Sequence, residues 1–222
     1  MLPTRTILHK VYRRLFQSFG PQKWWPGRTR FEIIVGAILT QNTNWGNVEK
    51  TIAKLRAGNL LNPEAINKIS SSRLARLIQA SGYYNIKARR LKNFVHFLQD
   101  EYSGRLMKMA REPWPRLREQ LLKVNGIGPE TADSILLYAF NQPVFVVDAY
   151  TYRIMSRHGL YQGPVDYQKL QQVFTENLEP DYLRFNEYHA LLVRLGKEFC
   201  RSRPLCSNCP LNDMLPRGFT TL

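Results

Sequence analysis

The sequence predicts an all-α fold built from short helices with short connections. Three observations carry that expectation. Apolar residues recur three and four apart along most of the chain, the spacing of one helix face. The only strand-like run, Val144-Phe-Val-Val147, is too short to stand for a strand by itself. Of the 222 residues, 44% are hydrophobic, which suits one large domain or two small lobes and is too much for a disordered tail.

In chain order, Phe31 to Thr40 is apolar on nearly every side, as expected of a helix buried in the middle of a core. Val48, Ile52 and Leu55 mark the next helix. Asn62 caps a further one, with Pro63 at its first position, where no N–H is needed. Leu74, Leu77 and Ile78 form a stripe after Ser71-Ser72, and Ile86, Leu91, Phe94, Val95 and Leu98 mark a longer helix. Leu117, Leu121 and Leu122 precede a glycine-bearing turn, and Ile135, Leu136, Ala139 and Phe140 follow it. The last third is again helical, over Tyr150 to Arg157, Gln168 to Asn177 and Tyr182 to Phe199. Repeats and low-complexity segments are absent.

Lys and Arg number 32 against 17 Asp and Glu, a net charge of +15, with an isoelectric point near 10.0. That balance points to an anionic polymer or surface, the plain alternative being a merely soluble basic protein. The basic residues Arg13-Arg14, Lys87 with Arg89-Arg90, Arg116 with Arg118, and Arg201 with Arg203 sit among apolar neighbours, so they read as a folded positive face rather than a tail. The longest apolar run, Ile33 to Leu39, is far short of the ~20 residues of a membrane span. The N-terminal residues lack the apolar core of a signal peptide. Cys200, Cys206 and Cys209 are few, odd in number and clustered, which argues against structural disulfides and for a reducing, intracellular setting.

The turn Val124-Asn-Gly-Ile-Gly-Pro-Glu-Thr-Ala132 is the most informative stretch. Gly126 and Gly128 can take backbone angles that other residues avoid. Ile127 can plug between the flanking helices, and Pro129 suits the first position of the second. The helix start then offers N–H groups and a dipole end to a phosphate. The plain alternative is an ordinary helix–helix connector. Asn125, Gly126, Ile127, Gly128 and Thr131 are the residues expected to contact a phosphate backbone.

This turn resembles the helix–hairpin–helix of the endonuclease III superfamily of DNA glycosylases. The resemblance continues to Phe140-Asn-Gln-Pro-Val-Phe-Val-Val-Asp148-Ala-Tyr-Thr-Tyr-Arg153, where the family places an aspartate about twenty residues after the hairpin. It also takes in Phe31 to Asn42 upstream and Cys200-x5-Cys-x2-Cys209 downstream. Within the superfamily the likeness is greatest to the 3-methyladenine DNA glycosylase branch, carried by Trp24-Trp25-Pro26, Leu39-Thr-Gln-Asn-Thr43 and Ser81 to Leu91. The resemblance implies a six-helix barrel lobe over residues 30–142, with the hairpin at about 117–140. It implies a second lobe from residues 1–29 and 143–222, with a cysteine loop at 200–209 and an active-site cleft between the lobes. The implied partner is double-stranded DNA with a damaged base, bound by a monomer.

Such an enzyme must flip its target nucleotide out and hold the base between aromatic or apolar groups. Trp24, Trp25 and Trp45 are candidate walls, the last placed in the pocket by the resemblance, with Pro26, Gln41 and Glu130 beside them. An indole face attracts a cationic alkylated purine by about 0.5–2 kcal/mol. Trp114, outside the matched motifs, reads as core. Asp148 is the expected catalytic residue, since a carboxylate can stabilise a cationic sugar or activate water. It also sits where an N-cap would, and both roles can hold. Lys197 matches a pocket-adjacent lysine of the alkylpurine branch, although a solvated helix lysine is the commoner case. His9, His96, His158 and His189 show no metal-ligand spacing and read as surface or core residues.

The superfamily often carries a four-cysteine [4Fe–4S] loop. Here Cys200, Cys206 and Cys209 are followed by Leu215 at the fourth place, and the first gap is one residue short. The cluster is therefore expected to be lost or completed by an outside ligand, loss being favoured.

In strand-cleaving members a lysine of the hairpin attacks the sugar. Glu130 occupies that place, and a carboxylate forms no imine. The expectation is a monofunctional glycosylase for damaged, alkylated purines. Its rivals are an endonuclease III-like glycosylase and lyase for oxidised pyrimidines, and a non-catalytic helix–hairpin–helix DNA-binding protein.

Overall fold

The structure, a computed structural model, describes residues 3–214. It is all-helical, with no strand among the described residues. The chain forms two compact units, one of Met1–Trp24 with Pro143–Leu222 and one of Trp25–Gln142.

The Trp25–Gln142 unit is built on α2 (Arg30–Leu39). Thr29 caps its start by accepting the Glu32 N–H at 3.1 Å. Phe31, Ile34, Val35, Ile38 and Leu39 are all buried, which is why the run is apolar on every side. α3 (Trp45–Ala57), α6 (Tyr84–Tyr102) and α9 (Pro129–Ser134) pack on it, α4 (Pro63–Lys68), α5 (Ser71–Leu77) and α7 (Leu106–Met109) pack on α6, and α8 (Trp114–Lys123) packs on α9. Asn62 caps α4 with Pro63 at its first position, as the sequence indicates. After α9 the chain continues into a π-helical stretch, Ile135–Ala139, whose residues are all buried and which packs on α2.

Three details of this unit depart from the sequence reading. Ile86 and Leu122, expected on the apolar faces of their helices, are exposed, because each lies off the buried stripe formed by Leu91, Phe94, Val95 and Leu98 in the one case and Leu117 and Leu121 in the other. Lys87, read as part of a positive surface, is buried. Its ammonium donates to the carbonyls of Leu39 (2.8 Å) and Ser81 (2.5 Å), tying the end of α2 to the turn before α6. Burial, and then Arg90 nearby, push its pKa down to about 8. Arg118 likewise is not a free surface cation. It grips the fully buried Asp133 through Nε (2.6 Å) and Nη2 (3.0 Å), joining α8 to α9.

The other unit begins with α1 (Thr4–Phe19), a helix the sequence reading passed over, whose Leu8, Val11 and Leu15 are buried. It continues with α10 (Ala149–Arg157), α11 (Tyr167–Thr175) and α12 (Tyr182–Glu198), with α12 packed on both α1 and α10. Gly196 permits the close approach of α12 to α10, because a Cβ there would run into the Tyr150 side chain. The strand-like run Val144–Val147 pairs with no strand. It is an irregular buried segment, with Phe145 stacked on Phe174 (centroids 3.9 Å apart, 8° between planes) and edge-on to Phe185 and Tyr188. Its apolar side chains anchor the chain immediately before Asp148.

Candidate active site

Asp148 is the N-cap of α10. Its Oδ1 accepts from the Thr151 backbone N–H at 2.7 Å and from the Thr151 hydroxyl at 2.8 Å. Its Oδ2 lies 3.7 Å from Nε2 of His189 on α12. The Asp148 side chain is 14% exposed and that of His189 is 6% exposed. Burial pushes the carboxyl pKa up, but the His189 imidazole and the two Thr151 donors outweigh it, so the group is held below its ordinary value. A carboxylate that stays ionised in an almost dry setting suits the stabilisation of positive charge. In sequence His189 reads only as a surface or core residue, because residues 148 and 189 are joined by the packing of α10 on α12.

In the Trp25–Gln142 unit a pocket of about 290 Å³ is lined by Trp25, Pro26, Trp45 and Glu49, with Glu32, Arg56 and Arg28 among its charged residues. Trp25 stacks on Tyr138 (4.8 Å, 30°) and stands edge-on to Trp45 (4.7 Å, 80°). Trp25 can lie this close to α2 because residue 36 is glycine: a Cβ there would meet the indole Nε1 at 3.3 Å. The Trp45 indole N–H donates to Glu49 Oε1 at 2.8 Å, one helical turn along α3. Glu32 is buried and is neutralised by Arg56 at 2.6 Å.

The other expected pocket residues are placed elsewhere. Gln41 reaches the hairpin, where its Nε2 donates to the Gly126 carbonyl (3.0 Å) and the Thr131 hydroxyl (2.8 Å), while its Oε1 accepts from Arg90. Glu130 is exposed in the first turn of α9 and does not line the indole pocket. Trp24 and Lys197 belong to the unit of the two chain ends, where the Lys197 ammonium lies 5.9 Å from the Trp24 ring centroid. Trp114 is half-buried at the start of α8.

In the hairpin, Gly126 has φ 96°, a left-handed conformation that favours glycine, and Ile127 is buried between the helices. Gly128 differs from expectation: its φ of −93° and ψ of −179° are open to any residue, and a Cβ there would meet nothing within 4 Å. Thr131 is buried, whereas Asn125 and Gly128 are exposed. The hairpin thus divides into an inner part that packs and an outer part that faces solvent.

The cysteines do not supply a four-thiolate cluster site. The chain has three cysteines in all. No group of three or more His, Cys, Asp or Glu among the described residues is arranged to hold a metal ion, and Leu215 lies outside those residues. Instead Arg153 donates to the Cys200 carbonyl (2.5 Å), and Arg157 to the carbonyls of Arg201 (2.6 Å) and Ser202 (3.0 Å), so α10 ties the loop down. Burial raises the Cys209 thiol pKa. No helix of the described residues is long and apolar enough to cross a membrane.

These features, a largely buried capping aspartate after a glycine hairpin and an all-helical scaffold, are those of a DNA base-excision protein. Residues 35–180 match the HhH-GPD superfamily base excision DNA repair protein family, and the chain belongs to it. It is 45% identical over 209 residues to a protein of Methanocaldococcus jannaschii provisionally named a DNA repair glycosylase, covering 93% of this chain and 94% of that one. The Helicobacter pylori 3-methyladenine DNA glycosylase, solved bound to 1,N6-ethenoadenine, superposes with a TM-score of 0.76 at 30% identity, over 89% of this chain and 98% of that one. An endonuclease III in a non-covalent DNA complex shares the fold with a TM-score of 0.82 at 22% identity, over 98% and 97% of the two chains.

Proposed function

We propose that the chain is a monofunctional DNA glycosylase that hydrolyses the N-glycosidic bond of alkylated purines in double-stranded DNA. The observation that carries this reading is the pocket walled by Trp25 and Trp45, in a family whose members act on damaged bases. Likeness to a 3-methyladenine glycosylase supports the choice of alkylated purines. The exposed face of the hairpin grips the phosphate backbone, and the damaged nucleotide leaves the stack for the pocket, held against the indole rings. A purine that carries alkyl charge leaves readily and is attracted to an indole face. As the bond from the sugar carbon to the base nitrogen breaks, the electron pair departs with the base and positive charge develops on the sugar. Asp148 opposes that charge with its carboxylate, and water adds to the sugar carbon and gives up its proton to solvent.

The hairpin supports the monofunctional part. Glu130 stands where an attacking amine would be needed, and its carboxylate cannot form an imine. The test is base release from duplexes carrying single alkylated purines or single oxidised pyrimidines, with borohydride present in a parallel set. The expected result is release of the alkylated purine, an intact abasic strand and no covalent adduct. Trapping of a protein–DNA adduct, or release confined to oxidised pyrimidines, would overturn the reading in favour of an endonuclease III-like activity.

A further inference from the structure

The Trp25–Trp45 pocket contains a carboxylate that stacking alone does not require. Glu49 lies one turn after Trp45 on α3 and accepts the indole N–H at 2.8 Å. Its charge is thus held at the edge of the ring that walls the pocket. Of the pocket's other charges, Glu32 and Arg56 neutralise each other at 2.6 Å, which leaves Glu49 and Arg28, both exposed, to set the local potential. A negative charge bonded to an indole N–H makes the ring face more negative, and that strengthens its attraction for a cation while doing nothing for a neutral ring.

We propose that Glu49 is a specificity-determining residue: through the Trp45 indole N–H it biases the pocket towards cationic N-alkylated purines over neutral bases. The proposal rests on the glycosylase reading for its biological sense but not for its measurement. Glu49 is a positioning residue that acts through Trp45. Arg28 opposes it, so removing the Arg28 charge moves the preference the other way.

Glu49→Gln is the informative variant, because the amide oxygen still accepts the indole N–H and keeps the ring in place while the charge is lost. Two readouts are taken on the intact chain. Indole fluorescence is followed during titration with 7,9-dimethylguaninium, a cation, and with 9-methylguanine, its neutral counterpart. Single-turnover release is followed from duplexes carrying 7-methylguanine or hypoxanthine. The wild type is expected to prefer the cationic probe, with that preference reduced about tenfold in Glu49→Gln and enlarged in Arg28→Gln. Release of 7-methylguanine is expected to fall by a similar factor, with hypoxanthine unchanged. Equal losses for charged and neutral species, or an unaltered preference in Glu49→Gln, would overturn the proposal. A preference that is present and charge-dependent, with no base released from any duplex, would uphold the role of Glu49 and overturn the glycosylase reading instead.

Discussion

At Asp148 one carboxylate caps a helix and, in the proposed reaction, faces a developing cation, and the two demands fall on different oxygens. Oδ1 is committed to Thr151, while Oδ2 faces His189. Asparagine keeps an oxygen for the cap and caps about as well as aspartate, so Asp148→Asn is expected to fold and bind damaged duplex. Its single-turnover base release should fall by about 10²–10⁴, and release near the wild-type rate would remove Asp148 from the chemistry. The direction of its pKa shift adds a pH test. The carboxyl is held below its ordinary value in the folded chain, so its contribution to stability is fully present above the unfolded value of about 3.9 and is lost as pH falls through the folded one. Leucine in place of His189 removes a group that lowers this pKa and leaves the burial that raises it. The acid limb of the base-release profile in His189→Leu should therefore move to higher pH than in the wild type, and an unmoved limb would mean that His189 only fills space.

The two hairpin glycines look alike in sequence but differ as parts of an element. Gly126 needs its left-handed backbone, and a Cβ there would collide with the Arg90 side chain, which in turn holds Gln41 against the hairpin. Gly126→Ala should cost about 1–3 kcal/mol of stability in chemical denaturation. Gly128 is extended and open, so Gly128→Ala should cost less than about 0.5 kcal/mol. Loss of duplex affinity in Gly128→Ala at unchanged stability would mark the outer turn as the surface that meets DNA, and unchanged affinity would exclude it. The same contrast explains what could be read beforehand. Local chemistry was legible: the apolar run of α2, the Asn62-Pro63 start of α4, the hairpin and the aspartate after it. Tertiary pairing was not. α1 shows only a narrow stripe of Leu8, Val11 and Leu15 between charged residues, and its partner α12 is remote in sequence. The spacing of Lys87 does not say that two carbonyls await it. The Trp45–Glu49 pair has helical spacing, but spacing alone does not turn a carboxylate towards an indole N–H.

Across the whole molecule the governing quantity is charge. Some cations serve the fold, as Arg118 does with Asp133 and Arg56 with Glu32. Even if every one of the 17 acids held a basic residue, the 32 Lys and Arg would leave 15 without a carboxylate. If a share of these meets phosphates, binding to undamaged duplex is largely the release of counterions, and log affinity should fall linearly with log salt by about 0.9 per phosphate contacted. A slope steeper than about −3 is expected, equivalent to several contacts. The chemical step should behave differently. In the proposed reaction, once the complex is saturated, Asp148 acts at short range from an almost dry position, where mobile ions screen poorly. Titrating affinity by fluorescence anisotropy and single-turnover release at saturating protein, over the same salt series, separates the two. Affinity should drop steeply while the saturated rate changes by less than about twofold. A flat affinity would mean that the positive charge serves some partner other than the phosphate backbone. A saturated rate that falls in parallel with affinity would mean that the same surface cations also stabilise the transition state, which the largely buried setting of Asp148 does not require.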